Sequence, residues 1–247
     1  MEVRILKDKT AMSKAAAALG ADVLRKVLAE KGKATMVAAT APSQFEMMSF
    51  LIKEPGIDWS KVTLFHLDEY IGLPKNHKAG FRLNLKEKFI DRLPSKLAKV
   101  YFVDGDAADL KAFCAEMKQI MAANPVDLAF IGVGENGHIA FNDPPADFDT
   151  DEAFLVVKLD DACRQQQYGE GWFPTFDAVP THALTMSVPR IFKSKVIVNV
   201  VPDERKAKAV KGMIEGPVTN ACPASILQKH AHCTTFLDEA SASLLKK

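Results

Sequence analysis

The chain contains few cysteines and almost no excess of charge of either sign. Its four cysteines, Cys114, Cys163, Cys222 and Cys233, show neither CxxC spacing nor metal-ligand clustering, so we expect reduced thiols rather than a disulfide framework or a zinc site. The 32 basic and 31 acidic residues leave a formal net charge of +1 at pH 7. Because no global field would attract nucleic acid or an anionic membrane, an anionic ligand would have to be held locally.

Long hydrophobic runs are also missing. No stretch approaches the length of a membrane span, and residues 1–9 alternate charged with apolar side chains and lack a signal-peptide core. These absences predict a cytoplasmic protein with no membrane partner. The 247 residues, of which 48% are hydrophobic, are enough for a large globular domain with a full core.

Helical and strand-like patterns alternate through the first half of the chain. A long amphipathic helix is predicted at 10–31, with Thr10 or Ser13 as its cap and Gly32 beyond its end. The other predicted helices are 45–52, 78–93 and 106–122, and the predicted strands are 34–40, 62–67, 100–103 and 128–133. This alternation predicts an α/β fold with a doubly wound, mostly parallel sheet and helices on both faces, in a modified Rossmann-like arrangement.

A less regular region interrupts the pattern. After a predicted strand at 153–157, the loop at 160–173 has two glycines and aromatic residues that we expect to be exposed, which suits a lid or active-site wall around 145–180. A mobile surface loop without a role is the alternative. The pattern then returns with strands at 183–188, 195–201 and 234–237, helices at 203–215 and 224–228, and a final helix. No linker or repeat divides the chain, so residues 1–247 are expected to form one domain with a lid-like insertion.

The strand predicted at 128–133 ends in a loop of glycines and polar side chains. Gly134 and Gly137 allow tight turning and close backbone approach to a ligand. The loop also carries possible acids, bases and hydrogen-bond partners, namely Glu135, Asn136, His138, Asn142 and Asp143. Open parallel sheets bind ligands just beyond the carboxyl ends of their strands, where this loop begins. Taken alone, the pattern also fits a solvated loop with an ordinary surface histidine.

A second predicted strand, 62–67, is followed directly by Asp68, Glu69 and Tyr70. Parallel strands end at the same edge of a sheet. We therefore expect Asp68 and His138 to meet at one rim, although they are far apart in sequence.

Two further positions could hold an anion at this rim. Ser43 lies where a helix starts after the strand at 34–40, so it is either a hydroxyl donor to a phosphate or carboxylate or an ordinary helix cap. Lys206 lies just inside the helix at 203–215, where its ammonium and the positive helix end would act together. The neighbouring basic residues are expected to form a solvated helix face: Arg205, Lys208 and Lys211.

With these loops, the sequence resembles the glucosamine-6-phosphate deaminase/isomerase family, whose wider superfamily includes 6-phosphogluconolactonases. Two specific motifs carry the resemblance, residues 65–73 and residues 132–144. Weaker similarity follows in order along the chain, at 183–186, Lys206, 215–216 and 224–228. The resemblance therefore covers nearly the whole sequence.

The resemblance implies catalytic roles for four residues. Asp68 would be the base that moves a proton between C1 and C2 of the sugar, and His138 would catalyse ring opening with the assistance of Asn136 and Asp143. The chemistry agrees, because an aldose-ketose interconversion needs a carboxylate at the C1–C2 edge and a proton shuttle, for which histidine is suited. Many family members have Asp at the position of Asn136 and Glu at the position of Asp143, whose shorter side chain must still reach the imidazole.

The resemblance also implies a phosphate site. Lys206 would bind the phosphate together with the turn that contains Thr40, Ser43 and Gln44, and Arg164 is the nearest match to the family's phosphate-binding arginine. This turn departs from the family pattern, because Ala41 and Pro42 stand where glycines or small residues are expected.

The function implied is that of a sugar-phosphate isomerase/deaminase, which would convert glucosamine 6-phosphate to fructose 6-phosphate and ammonia by ring opening and C1–C2 proton transfer. The alternatives are a 6-phosphogluconolactonase-like hydrolase and a non-catalytic sugar-phosphate sensor. No metal or organic cofactor is implied, and the expected partner is a small-molecule sugar phosphate. A homo-oligomer is possible, since family members range from monomers to hexamers.

Overall fold

A computed structural model describes residues 1–246, and a parallel sheet of seven strands lies at its centre. The ten strands in chain order are β1 (Glu2–Leu6), β2 (Ala34–Ala38), β3 (Val62–His66), β4 (Asp68–Tyr70), β5 (Lys99–Tyr101), β6 (Leu128–Ile131), β7 (Phe154–Lys158), β8 (His182–Met186), β9 (Val196–Val201) and β10 (Cys233–Asp238). The central sheet has the order β1-β10-β9-β6-β2-β3-β5, with every neighbouring pair parallel. The predicted mostly parallel sheet is therefore confirmed.

Helices cover both faces of this sheet, as predicted. The α-helices in chain order are α1 (Lys9–Lys31), α2 (Pro42–Leu51), α3 (Phe81–Lys88), α4 (Leu110–Ala123), α5 (Asp161–Gly169), α6 (Val188–Phe192) and α7 (Ala207–Glu215). Helices α1, α2 and α3 bury residues such as Leu24, Met47 and Leu85 against one face. Helices α4 and α7 bury Met117 and Met213 against the other. None of the helices within residues 1–246 combines the length and apolar character needed to cross a membrane.

Helix α1 shows how local sequence sets the boundaries of an element. The side chain of Asp8 accepts a hydrogen bond from the N–H of Ala11 at 2.7 Å, and Gly32 ends the helix with a left-handed φ of 69°. The prediction that Thr10 or Ser13 is the cap is wrong, because the helix begins at Lys9 and both residues lie inside it.

A second sheet was not predicted. It contains three antiparallel strands in the order β4-β8-β7, in which Asp68 pairs with Thr185 and Tyr70 with Ala183. The segment 68–70 had been interpreted as a loop, because a strand of three residues is too short to show an alternating pattern. This small sheet fixes Asp68 to a strand, which holds its side chain more rigidly than a loop would.

Several other boundaries differ from the predictions. Part of the predicted loop at 160–173 is helix α5, which Asp160 caps by accepting from the N–H of Cys163, and Phe173 is buried rather than exposed. The predicted helix at 78–93 shortens to α3 and a 3₁₀ turn at Ile90–Arg92. Strand β1 was missed, and residues 239–245 form turns and a bend where a final helix was predicted.

Gly20 provides a test of helix-to-sheet packing. A Cβ at this position would lie 2.1 Å from Cζ of Phe130 in β6. We expect Gly20→Ala to lower the free energy of unfolding by about 1–3 kcal/mol, because the cost of overpacking exceeds the gain in helix propensity. Chemical denaturation would measure the change. Gly169→Ala is the matched control, since a Cβ there meets nothing within 4 Å; equal losses in the two variants would contradict this packing.

Candidate active site

The main pocket lies at the carboxyl ends of four adjacent strands, β9, β6, β2 and β3. The segments after these strands line it with Pro202 and Asp203, with Gly132 to Gly134 and His138, with Ala39 to Gln44, and with Leu67 and Asp68. Asp68 and His138 thus border one pocket, as their positions after parallel strands predicted. Nine residues outside these segments complete the lining: Lys9, Phe81, Ala140, Phe141, Gln166, Gln167, Glu170, Arg205 and Lys206.

Asp68 is a buried carboxyl group at the pocket wall. It is 7% exposed, and no hydrogen bond to its side chain is present within residues 1–246. Burial, together with the smaller effect of the charge on the adjacent Glu69, raises the pKa of Asp68 to about 8. An aspartate with this pKa can both accept and return a proton near neutral pH.

Glu69 holds the segment around Asp68 in place. Its Oε1 accepts hydrogen bonds from the N–H groups of Tyr70 at 2.9 Å and Phe81 at 3.2 Å, and its Oε2 accepts from that of Arg82 at 2.7 Å. The N-cap of helix α3 is a glycine, which has no side chain to cap the helix. The Glu69 carboxylate, in strand β4, therefore accepts the hydrogen bonds of N–H groups in the first turn of α3. Burial raises the pKa of Glu69, and these backbone hydrogen bonds partly offset that effect.

His138 is oriented by a carboxylate behind it. Its Nδ1 lies 2.9 Å from Oδ1 of Asp143, and Nδ2 of Asn136 donates to the same Oδ1 at 3.0 Å. The Oδ1 of Asn136 accepts from the backbone N–H of His138 at 3.0 Å. Burial alone would raise the pKa of Asp143, but the bonds from His138 and Asn136 hold it below its ordinary value. The shorter Asp143 side chain therefore reaches the imidazole, and its charge favours a proton on Nδ1.

A further acid supports this pair from the start of α5. Asp160 donates its backbone N–H to Oδ2 of Asp143 at 3.0 Å, and its Oδ2 accepts from Nδ2 of Asn136 at 3.0 Å. Sequence reasoning missed Asp160, although an acid directly before a helix is a recognisable cap signal. Cys163, one turn further on, adds a buried thiol, so that His138, Asp143 and Cys163 bring three possible metal-ligand atoms within 4.8 Å of one another.

Gly134 makes room for the imidazole. A Cβ at this position would lie 2.1 Å from Nε2 of His138 and 2.2 Å from its Cε1. Gly137 has a φ of 88°, a left-handed conformation that side chains other than glycine rarely adopt. Gly137 thus makes the predicted tight turn, while the close approach at Gly134 is to the His138 ring; the predicted approach to a ligand stays a prediction.

Lys206 supplies a buried cation to the pocket lining. It is 6% exposed, and within residues 1–246 its ammonium forms neither an ion pair nor a hydrogen bond with another side chain. Burial lowers the pKa of Lys206, although the charges of Glu135 and Glu170 act in the opposite direction. A buried ammonium without a protein counter-ion favours an anionic ligand.

The turn after β2 lies next to this cation. Thr40, Ser43 and Gln44 all border the pocket. The Oγ1 of Thr40 and the Oε1 of Gln44 are buried without a hydrogen-bond partner, while Nε2 of Gln44 donates to the carbonyl of Val200 at 3.0 Å. The alternative that Ser43 is a helix cap is wrong, since Ala41 is the cap residue and Ser43 lies within the first turn.

Arg164 lies outside the pocket. Its guanidinium donates to the carbonyls of Phe176 at 3.2 Å and Val179 at 3.1 Å and stacks on the Phe176 ring at 4.2 Å. This position does not support the predicted phosphate contact, because the guanidinium already forms hydrogen bonds with backbone carbonyls of the segment after α5. Because Arg164 lies in the irregular region of the sequence, the pattern did not show which way its side chain points.

Arg205 borders the pocket instead, contrary to its assignment to a solvated helix face. Its Nε and one terminal nitrogen bind the two oxygens of Asp203 at 3.2 and 2.9 Å, and its side chain is 54% exposed. Arg205 and Lys206 are neighbours in the sequence. A run of basic residues does not show which of their side chains point towards the edge of the sheet, so the position of Arg205 at the pocket was missed.

Together these groups can perform proton transfer on a small anionic substrate. The pocket presents a carboxyl group that titrates near neutrality, an imidazole with an orienting carboxylate, and a buried ammonium. This set resembles the requirements of general acid-base catalysis on a phosphorylated sugar.

Comparisons with known proteins agree with this geometry. The family of glucosamine-6-phosphate isomerases and 6-phosphogluconolactonases matches residues 7–236. A glucosamine-6-phosphate deaminase from Lactobacillus delbrueckii subsp. bulgaricus is 37% identical over 248 residues, covering 100% of both chains.

Solved structures show the same relationship. A monomeric glucosamine-6-phosphate deaminase superposes with a TM-score of 0.90 at 30% identity, covering 99% of this chain and 100% of that one. A 6-phosphogluconolactonase from Thermotoga maritima shares the fold with a TM-score of 0.78 at 17% identity, covering 96% and 99%. From its sequence and its fold, this chain belongs to the glucosamine-6-phosphate isomerase/6-phosphogluconolactonase family.

Proposed function

We propose that this chain converts glucosamine 6-phosphate and water to fructose 6-phosphate and ammonia. The observation that carries the proposal is the meeting of Asp68 and His138 at a pocket that also contains the unpaired ammonium of Lys206. Lactone hydrolysis does not require a carboxylate for carbon-acid proton transfer, whereas isomerisation does. Relatives that are named glucosamine-6-phosphate deaminase over the full length add support.

Binding would begin at the phosphate. Lys206 would provide the buried charge and Arg205 a second cation at the pocket entrance, while Thr40 and Ser43 would provide hydroxyl donors. Anchoring the phosphate would place C1 and C2 of the sugar towards Asp68 and His138 on the other side of the pocket.

Ring opening would use His138. Its Nδ1 is bound to Asp143, and Nε2 lies above Gly134 at the pocket wall. Nε2 would take the proton of the C1 hydroxyl and return a proton to the ring oxygen as the C1–O5 bond breaks. Asp143 would stabilise the imidazolium that forms between the two transfers, with Asn136 keeping the carboxylate in place.

Proton transfer between carbons would use Asp68. The ionised carboxylate would remove the proton from C2 of the open-chain aldehyde while O1 takes a proton from the ammonium group on C2, which gives an enolamine. The carboxyl group would then deliver its proton to C1, which leaves an iminium group at C2. Water would add to C2, and ammonia would leave to give the ketose phosphate. Each step balances without a redox partner.

We also propose that residues 145–180 form a wall of the site within a single-domain chain. Gln166, Gln167 and Glu170 of this segment border the pocket, and the hydroxyl of Tyr70 donates to Gln167 at 2.9 Å. The N–H of Glu135 also donates to Gln166 at 3.0 Å, which connects α5 to the His138 loop. These contacts support a wall that is attached to both catalytic segments.

Two broader properties complete the proposal. Cys114, Cys163, Cys222 and Cys233 are free thiols, which supports a reducing compartment such as the cytoplasm. One chain supplies every residue used in the proposed mechanism, so a monomer would suffice for catalysis.

The first test is a direct assay of products. Purified protein with glucosamine 6-phosphate should release ammonia and fructose 6-phosphate in equal amounts. Asp68→Asn should lower the rate by about 10²–10⁴-fold, because the carboxamide cannot accept the C2 proton. Hydrolysis of 6-phosphogluconolactone without ammonia would instead indicate a lactonase, and a ligand-dependent rise in melting temperature without turnover would indicate a sensor.

The pH dependence of kcat/KM tests the role of Asp68. Because the carboxylate is the active form and its pKa in the free protein is about 8, kcat/KM should rise with pH through neutrality and level off above about 8. Glu69→Gln should move this limb to lower pH, since it removes a charge that raises the pKa of Asp68. A limb that belongs to the substrate amine would not move with Glu69→Gln.

Lys206→Ala tests phosphate binding. Loss of a buried charge-assisted hydrogen bond of about 1.5–3 kcal/mol should raise KM for glucosamine 6-phosphate by about 10–100-fold. Lys208→Ala, a change at an exposed position two residues further on in α7, is the control and should leave KM nearly unchanged. Steady-state kinetics would measure both, and equal KM values for the two variants would count against the assignment.

A further inference from the structure

A buried thiol lies directly behind the proposed ring-opening histidine. Cys163 is 1% exposed, and its sulfur lies within 4.8 Å of a ligand atom of Asp143, the carboxylate that binds Nδ1 of His138. The proposed reaction uses His138 and Asp143 but assigns nothing to the thiol. The cluster therefore presents one nitrogen, one oxygen and one sulfur ligand atom, all within 4.8 Å of one another.

This donor set has the chemical character of a zinc site. Zinc binds imidazole nitrogen, carboxylate oxygen and thiolate sulfur at roughly 2.0–2.3 Å in tetrahedral geometry, often with water in the fourth position. Ligand atoms around such an ion lie roughly 3–4 Å apart by that geometry. The present spacing, with Nδ1 and Oδ1 at 2.9 Å and all three atoms within 4.8 Å, needs only side-chain adjustment to reach it.

Surrounding contacts would orient the ligands. Asn136 donates to Asp143, and the N–H of Asp160 donates to the other carboxylate oxygen, so both oxygens of Asp143 are held. The N–H of Cys163 binds Asp160, which fixes the first turn of α5 beneath the thiol. Outer contacts of this kind are typical of metal sites, where they set ligand orientation and affinity.

A second cavity gives access to one ligand of the cluster, Asp143. This cavity of about 550 Å³ reaches Asp143 and Asp160 and is bordered by Pro144, Pro145 and Lys158. A small cation could approach Asp143 from this cavity while the phosphate side of the main pocket stays unchanged.

We propose that His138, Asp143 and Cys163 form an inhibitory binding site for Zn²⁺ or a similar thiophilic divalent cation. Binding of the ion to Nδ1 would move the imidazole proton from Nδ1 to Nε2 and release the thiol proton to solvent, and the ion would replace the bond between His138 and Asp143. Nε2 would then carry that proton and could not accept one from the sugar, so ring opening would stop. The inhibitory consequence rests on the proposed function, whereas metal binding itself does not.

Cobalt provides the measurement that is independent of activity. Co²⁺ added to the full-length protein should produce a thiolate-to-cobalt charge-transfer absorption in the near ultraviolet. Cys163→Ser should abolish this absorption, because the hydroxyl nearly preserves volume and hydrogen bonding but removes the soft ligand. Cys114→Ala, which changes a partly buried thiol on α4, should leave it intact.

Zinc inhibition provides the second measurement. ZnCl₂ should inhibit glucosamine 6-phosphate turnover by lowering kcat, and EDTA should restore it. The zinc concentration for half-inhibition should rise at least about tenfold in Cys163→Ser and in Cys163→Ala, with activity in EDTA retained. The proposal is overturned by equal zinc sensitivity in wild type and both variants, or by no cobalt absorption in wild type. If cobalt binds through Cys163 but no deaminase activity is found, the proposed function fails and the metal site stands.

Discussion

The proposed site depends on one constraint: the four parallel strands β9, β6, β2 and β3 end at the same edge of the sheet. Ala38 at the end of β2 pairs with His66 of β3 on one side and with Phe130 of β6 on the other. Ile131 of β6 pairs in turn with Asn199 of β9. Because these strands end together, the segments that follow them converge although no two are adjacent in sequence. A slip of one strand by one residue would exchange its two buried faces and displace its catalytic segment at the same time.

The pocket concentrates features that cost stability. Burial raises the pKa of Asp68 to about 8 and lowers the pKa of Lys206, so each group resists the charge that its proposed role requires. Ala140 and Asp203 border the pocket with φ values of 53° and 89°, in a region that side chains disfavour. For Asp203 the conformation is supported by Asp238, whose two carboxylate oxygens accept its N–H at 3.2 and 3.1 Å. Strained backbone and buried ionisable groups that lower stability are typical of functional sites. Here the hydrophobic cores on the two faces of the sheet offset this loss of stability.

The sequence predicted the central architecture because that architecture has strong local signals. Buried strands such as 62–67 and 128–133 read as apolar runs, and the acids and glycines after them marked the edge where ligands bind. Elements without periodic signals were missed: β4 has three residues, and α5 is a polar helix whose sequence resembles a loop. Side-chain direction was also beyond the sequence: Arg205 borders the pocket, whereas Arg164 does not.

The two histidines near the site illustrate the same limit. His66 lies two positions before Asp68, yet it is fully buried, with both ring nitrogens unpartnered. Burial and the charge of Arg82 lower the pKa of His66 to about 3, so it stays neutral and takes no part in proton transfer near neutral pH. His138, by contrast, lies in a glycine-containing loop with a carboxylate on Nδ1. The contacts of each ring, which the residue type does not reveal, separate the buried His66 from the carboxylate-bound His138.

The altered phosphate turn is accommodated by the same geometry. Ala41 has an extended φ of −147°, so no glycine is needed there, and Pro42 occupies the first helical position, where proline is well tolerated. The N–H of Gln44 is used within the turn, since it donates to the carbonyl of Ala41 at 2.8 Å. Fewer backbone donors would therefore face a bound anion than in a glycine-rich turn. The cations would compensate, because Lys206 is buried and unpaired within the described residues and Arg205 and Lys9 border the same pocket. In the proposed site, phosphate recognition would thus rely on side-chain charge more than on backbone N–H groups.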